Sequence, residues 1–312
     1  MKAQSSEGER CLSDYIGEFL NYLENKKHLS PHTVFHYGHD LSLFVRYLSL
    51  KNKCTMLEVK LENVKDEHID GFLNYLVEER NNCLRSAKRR LSAIRSFYTY
   101  ISNMLPKFRD TLGNPATAVP IPRVNEPLPK ILTDDEVISL LRAARSHSPF
   151  PPRDYAILRL FLNCGARLSE VLELEIDDFN QSNGTIRFGR NTRRERNLPL
   201  SPETLHAMVT YLTTRPLATS ERIFINRLGN PITKGAVYHL LGRCLSAASL
   251  SDKGITIHSL RHTCFANLAR EGFSPDEIRS ISGLRRVQTT RIYERIASDK
   301  PINKADDEKE EQ

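Results

Sequence analysis

No stretch of the 312-residue chain approaches the roughly 18 consecutive apolar residues of a membrane-spanning helix, and its first residues carry no apolar signal core. The protein is therefore expected to be soluble and cytoplasmic. Six cysteines, at positions 11, 54, 83, 164, 244 and 264, form no C-x-x-C pair and have no histidine at zinc-site spacing. That pattern excludes a zinc-finger scaffold and reads as reduced thiols. Acidic residues are not clustered at ligand spacing either, so no metal is expected. What the chain does have is positive charge: 45 Lys and Arg stand against 38 Asp and Glu, a net charge of +7 with a pI of about 9.1. A polyanionic partner is compatible with this balance. Charge alone does not establish one, because many basic proteins bind no nucleic acid.

The length suits about two domains. Apolar residues recur at helical spacing from Leu12 through Leu23. Ser30 followed by Pro31 marks the start of a second helix, and a third is expected from Asp66 to Glu79. The fourth, Ser86 to Tyr100, sets a stripe of Leu91, Ile94, Phe97 and Tyr98 against Arg85, Lys88, Arg89 and Arg95. Taken alone, such a helix reads as a solvated charged face. Residues 105–130 carry six prolines, a density that forbids continuous helix and marks a linker.

Beyond it, Thr133-Asp134-Asp135-Glu136 is a capping box, and an apolar helix from Asp154 to Asn163 stops at Gly165. Thr185–Phe188 and Asn197–Leu200 read as short strands joined by a basic loop, with Phe224-Ile225 as a further strand. Helices are expected after Ser201, over 236–248 and after Ser274. The acidic run 306–311 reads as a solvated tail.

Three short segments carry the chemistry: Gly165-Ala166-Arg167-Leu168-Ser169-Glu170, His258-Ser259-Leu260-Arg261-His262, and Thr289-Thr290-Arg291-Ile292-Tyr293. His258 and Arg261, three apart, share a helix face. A tyrosine hydroxyl can serve as a covalent nucleophile. In their order and spacing these segments resemble the boxes of the tyrosine recombinases (phage integrases), most of all the Xer type, over roughly residues 11–297. The resemblance implies a mainly α-helical protein of two domains. A four-helix, SAM-like core-binding domain would occupy 9–104, and an α-rich catalytic domain with a small antiparallel sheet 131–300. The linker 105–130 would join them as a clamp around a duplex, and 301–312 would be the tail.

The resemblance further implies that Tyr293 attacks a DNA phosphodiester while Arg167 and Arg261 neutralise the phosphate as bidentate forks. His258 would take or share the phenol proton. The covalent 3′-phosphotyrosyl link conserves the energy of the broken bond, so neither ATP nor any cofactor is implied. The partners would be double-stranded DNA, contacted by Arg85, Lys88, Arg89 and Arg95 on the fourth helix and by Arg193 and Arg194 on the basic loop, and further subunits in a homo- or hetero-tetramer.

Two departures from the family pattern reduce the expected activity. No lysine lies in the strand-to-strand loop; the nearest counterpart is Arg190, in a turn one residue longer than the family's, with Arg193 and Arg194 as the alternatives, and a guanidinium is a poor proton donor to a leaving group. Leu284 occupies the place of the family's second histidine or tryptophan, with Arg285 and Arg286 following as possible substitutes. The alternatives are a catalytically weak DNA-binding relative that supports an active partner, and a monomeric relaxing topoisomerase with the same chemistry.

Overall fold

Helix starts in this chain are set by side chains that satisfy orphan backbone donors. Ser30 Oγ accepts from Thr33 N–H at 3.2 Å ahead of Pro31. Thr133 and Glu136 close the expected capping box, with Thr133 N–H donating to Glu136 Oε2 at 3.0 Å. The computed structural model describes residues 10–105, 108, 113–120, 128–284 and 288–297. The chain divides into two units, 1–126 and 127–312. The acidic tail, half of the proline-rich linker, and Arg285 and Arg286 lie outside the described residues.

The first unit contains α1 (Leu12–Asn25), α2 (Pro31–Asn52), α3 (Asp66–Asn74), α4 (Leu84–Met104) and a short α5 (Pro115–Ala118). A π-helical turn over Tyr75–Glu79 continues α3. Its core is aromatic: Phe19, Phe44, Phe72, Phe97 and Tyr98 are all buried. Phe19 meets Phe97 edge-on at 5.7 Å, a favoured geometry for two ring quadrupoles.

Two cations of α4 are engaged within the unit, Arg95 half-buried and Arg89 still exposed. Arg95 turns along the unit and donates to Ala116 O at 3.0 Å and Val119 O at 2.6 Å, filling carbonyls that the one-turn α5 leaves open. Arg89 forms a fork to Asp40, at 2.6 and 2.9 Å, because that carboxylate is buried on α2 and needs a counter-charge. Arg85 and Lys88 are exposed.

The second unit is arranged around α7 (Pro151–Cys164), which contacts α6 (Asp134–Ser146), α9 (Pro202–Thr214) and α11 (Ile257–Arg270). Ile157, Leu158, Leu160 and Phe161 are inaccessible on it, as the apolar sequence requires. The short α8 (Leu168–Glu173) precedes a three-stranded antiparallel sheet of β1 (Phe179–Asn180), β2 (Thr185–Phe188) and β3 (Arg196–Pro199), in that order. Ile186 faces Leu198 across β2 and β3, and both point into the core. Then come α10 (Lys234–Ala247), α12 (Pro275–Ser282) and α13 (Gln288–Ala297).

Phe224-Ile225 does not form the expected strand. Ile225 makes a single bridge to Pro231, flanked by bonds from Asn226 N–H to Asn230 O and from Ile232 N–H to Phe224 O, because the chain reverses within five residues and Ile223 N–H goes instead to Leu174 O. Among the described residues no helix is long and apolar enough to cross a membrane.

Gly165 ends α7 at φ +54°, and a Cβ there would lie 2.4 Å from the buried ring of Phe265. Gly165→Ala is therefore expected to cost roughly 2–5 kcal/mol in urea denaturation, combining left-handed strain with overpacking. Gly272→Ala is the control. Gly272 sits at φ +93° with open space around it, so it should cost only the strain, about 1–2 kcal/mol. Equal losses at the two positions would contradict this account.

Candidate active site

The site is assembled at the C-terminus of α12. The last carbonyls of an α-helix have no intrahelical donor and sit at the negative end of its dipole. Here three successive ones are each met by a different arginine. Arg196 Nε donates to Ile281 O at 2.7 Å, Arg261 Nη2 to Ser282 O at 2.8 Å, and Arg167 Nη2 to Gly283 O at 2.9 Å. Gly283 is left-handed at φ +61°. A Cβ on it would lie 3.2 Å from Arg196 Nη1, a tight contact, and 3.4 Å from Arg167 Nη1, an ordinary one, so glycine here suits the left-handed backbone and leaves room beside Arg196.

Each arginine arrives on a separately fixed element. Arg167 is the N-cap of α8, reached through the reversal at Gly165, and its own N–H donates to Glu170 Oε2 at 2.8 Å. Arg261 is buried on α11, whose start is capped by Thr256, and it also donates to Gly165 O. Arg196 opens β3. Glu170 binds Arg167 Nη1 at 2.7 Å and takes a fork from Arg196 at 2.9 Å on each oxygen. Burial works to raise the Glu170 pKa, but Arg196 and Arg167 outweigh it and bring the carboxyl down to about 2. Burial, with the charge of Arg167 next, lowers Arg261 to about 10, which still leaves it protonated at neutral pH.

Tyr293, on α13, is only 2% exposed and packs edge-on against Phe265 at 5.4 Å. Its hydroxyl lies 2.7 Å from His262 Nδ1. Burial pushes the phenol up to about 12, and the charge of Arg261 partly offsets this. His262 is depressed below its ordinary value, first by burial and then by the charges of His258 and Arg261. At neutral pH it is accordingly an unprotonated imidazole beside a protonated phenol, which is the arrangement a general base requires.

Arg167, Arg261 and Tyr293 are thus brought together. His258 shares the α11 face but is exposed, and among the described residues His262 is the imidazole that bonds the phenol. Arg190 does not join the cluster. Its guanidinium is held by Asp178 at 2.9 Å and Glu175 at 2.8 Å, two carboxylates of the adjoining 3₁₀ turn. Arg193 and Arg194 are exposed on the loop between β2 and β3. Leu284 follows the carbonyl series and donates only its N–H, to Ser282 Oγ at 3.2 Å.

Sequence reasoning missed Arg196, Glu170 and His262 as members of the site. Glu170 and His262 stand inside the quoted segments, and the i+3 spacing of Glu170 from Arg167 is itself a capping signal. Nothing local marks Arg196.

The sequence pattern of the phage integrase family matches residues 130–300, and that of its N-terminal SAM-like domain matches 16–103. Tyrosine recombinase XerC of Oceanobacillus iheyensis is 30% identical over 292 residues, covering 91% of this chain and 92% of that protein. Tyrosine recombinase XerD of Halalkalibacterium halodurans is 27% identical over 290 residues, covering 91% and 94%. Among solved structures, the Tn1549 transposon integrase in complex with a circular intermediate DNA shares the fold at a TM-score of 0.74, with 17% identity and 91% and 95% coverage. XerH site-specific recombinase bound to a palindromic difH substrate does so at 0.73, with 19% identity and 96% and 97% coverage. With the integrase pattern across more than half of its length and Xer relatives aligned to nine-tenths of it, the chain belongs to the phage integrase family as a site-specific tyrosine recombinase of the Xer type.

Proposed function

We propose that this recombinase cuts and rejoins double-stranded DNA by making Tyr293 the nucleophile and Arg167 and Arg261 at the end of α12 the phosphate clamp. The observation that carries the reading is the convergence of Arg167 and Arg261 on adjacent carbonyls, with Arg261 acting electrostatically on the Tyr293 phenol that His262 engages. A phosphodiester entering beside Gly283 receives the N–H groups of Arg167 and Arg261 that face away from the helix end. The Tyr293 oxygen attacks phosphorus as its proton passes to His262 Nδ1, and negative charge on the non-bridging oxygens is met by the two forks. The bond to the 5′-oxygen breaks, leaving a 3′-phosphotyrosyl link and a 5′-hydroxyl. Attack of a 5′-hydroxyl on the link reverses these steps and releases the phenol, so joining needs no external energy source.

His258, one turn before His262, offers a second imidazole to the phosphate. Arg190 assists the leaving oxygen at the lysine position of the family, after exchanging Asp178 and Glu175 for it. As an acid weaker than lysine it makes this the slow half of the reaction. Arg85 and Lys88 on α4 and Arg193 and Arg194 on the loop supply phosphate contacts that position the duplex without reading its sequence. Exchange between two duplexes calls for four subunits on DNA. Work on chromosomal or mobile-element DNA, as resolution or as integration, would place the protein in the cytoplasm. The Tn1549 and XerH structures named above, both complexes with DNA, support a DNA partner.

A nicked duplex that traps the covalent intermediate tests the reading. The wild type should form an adduct and Tyr293→Phe none, while Arg167→Ala and Arg261→Ala should each slow its formation by about 10²–10³-fold with DNA affinity changed only a few-fold. Normal cleavage by either alanine variant would refute the clamp.

The pH dependence separates the two imidazoles. Because the base must be unprotonated and His262 titrates below the ordinary value of about 6.5, the rate should be level above that pH. Below the His262 pKa it should fall about tenfold per unit. His262→Gln should abolish this limb and His258→Gln should keep it. The reverse result would move the base to His258.

A further inference from the structure

Resting on that reading, we propose that Arg196 is a positioning residue for cleavage, keeping Glu170 from neutralising the arginine that must face the phosphate. Arg196 is not itself a phosphate contact. Its side chain is 8% exposed, enclosed by the Phe188 ring at 5.1 Å from the guanidinium carbon and by Gly283. All five of its N–H groups are fixed in direction by one planar fork, and the fork is turned inwards to Glu170 and Ile281 O.

The physical reason lies in charge balance. Glu170 is buried and stays ionised. With Arg167 as its sole partner the two would form a closed one-to-one pair. An arginine engaged that way presents little net charge to a ligand and is held by a buried carboxylate that competes with a phosphate for the same fork. Arg196 occupies both carboxylate oxygens and shares the load. Three guanidiniums against one carboxylate leave the cluster with two uncompensated positive charges. A phosphodiester brings one negative charge, and the five-coordinate phosphorus of the transition state carries two. Without Arg196 the cluster would match the ground state and not the transition state, so its removal should act on the chemical step more than on binding.

Arg196 also ties the first residue of β3 to the end of α12, 85 residues further along the chain. This fixes the loop bearing Arg190, Arg193 and Arg194 against the carbonyl series.

The test uses the full chain and the nicked duplex at saturating concentration. Arg196→Gln should slow adduct formation about 10–100-fold while DNA affinity stays within about threefold. Arg196→Lys, which keeps the charge and loses the fork, should fall between the two. The double variant Arg196→Gln with Glu170→Gln should cleave about tenfold faster than Arg196→Gln alone, since the unbalanced carboxylate is gone. A merely structural role predicts the opposite, a double variant as slow or slower.

Inorganic phosphate gives a readout independent of cleavage. It should raise the thermal midpoint of the wild type more than that of Arg196→Gln. Cleavage by Arg196→Gln within twofold of wild type, no rescue in the double variant, or equal stabilisation of both proteins by phosphate would each overturn the proposal. A wild-type chain that forms no adduct would strike the recombinase reading instead, and the phosphate comparison would still decide the role of Arg196.

Discussion

Three guanidiniums on three consecutive carbonyls is the constraint from which the rest of the site follows. A helix end offers its open carbonyls in a fixed fan, so whatever binds them inherits that geometry. In this chain the partners arrive from the α8 cap, the start of β3 and the middle of α11, elements that no local force would align. Mutual repulsion among the arginines is contained because the dipole end and Glu170 both supply negative potential. The α12 terminus therefore acts as a jig that gathers cations which would otherwise disperse.

Much of this fold can be read directly from the residues. Ser30, Thr133, Ser201 and Ser274 announce helix starts through chemistry confined to one turn, and each does cap its helix. Strands β2 and β3 follow from alternation and from the loop between them. The helices of the second unit also place Arg167, Arg261 and Tyr293 at the positions their segments suggest. These features are legible because their causes act over a few residues.

What could not be read depends on partners far away in sequence. Arg196 finds Glu170 at 26 residues and Ile281 at 85, so nothing near it distinguishes it from Arg193 or Arg194. The same blindness affects the cations of α4. Arg89 and Arg95 look like neighbours of Lys88 in the sequence, but a buried carboxylate 49 residues away and carbonyls 21 and 24 residues away claim them. Whether an arginine faces solvent or the interior is decided by which acceptors the fold leaves unfilled, and sequence periodicity does not record that. Arg190 illustrates the point most directly, since it lies in the same basic loop as Arg193 and Arg194 while Asp178 and Glu175 take its donors.

The depressed Glu170 carboxyl has a consequence for tolerance of acid. A carboxylate with a folded pKa of about 2 and an ordinary value of 4.5 contributes stability that is complete above 4.5 and is lost only as pH falls towards 2. At the alkaline end, Arg261, lowered by burial to about 10, stays charged through the neutral range. Well inside these two midpoints the arginine frame keeps its charge, a built-in electrical ballast that ordinary changes in cellular acidity leave untouched.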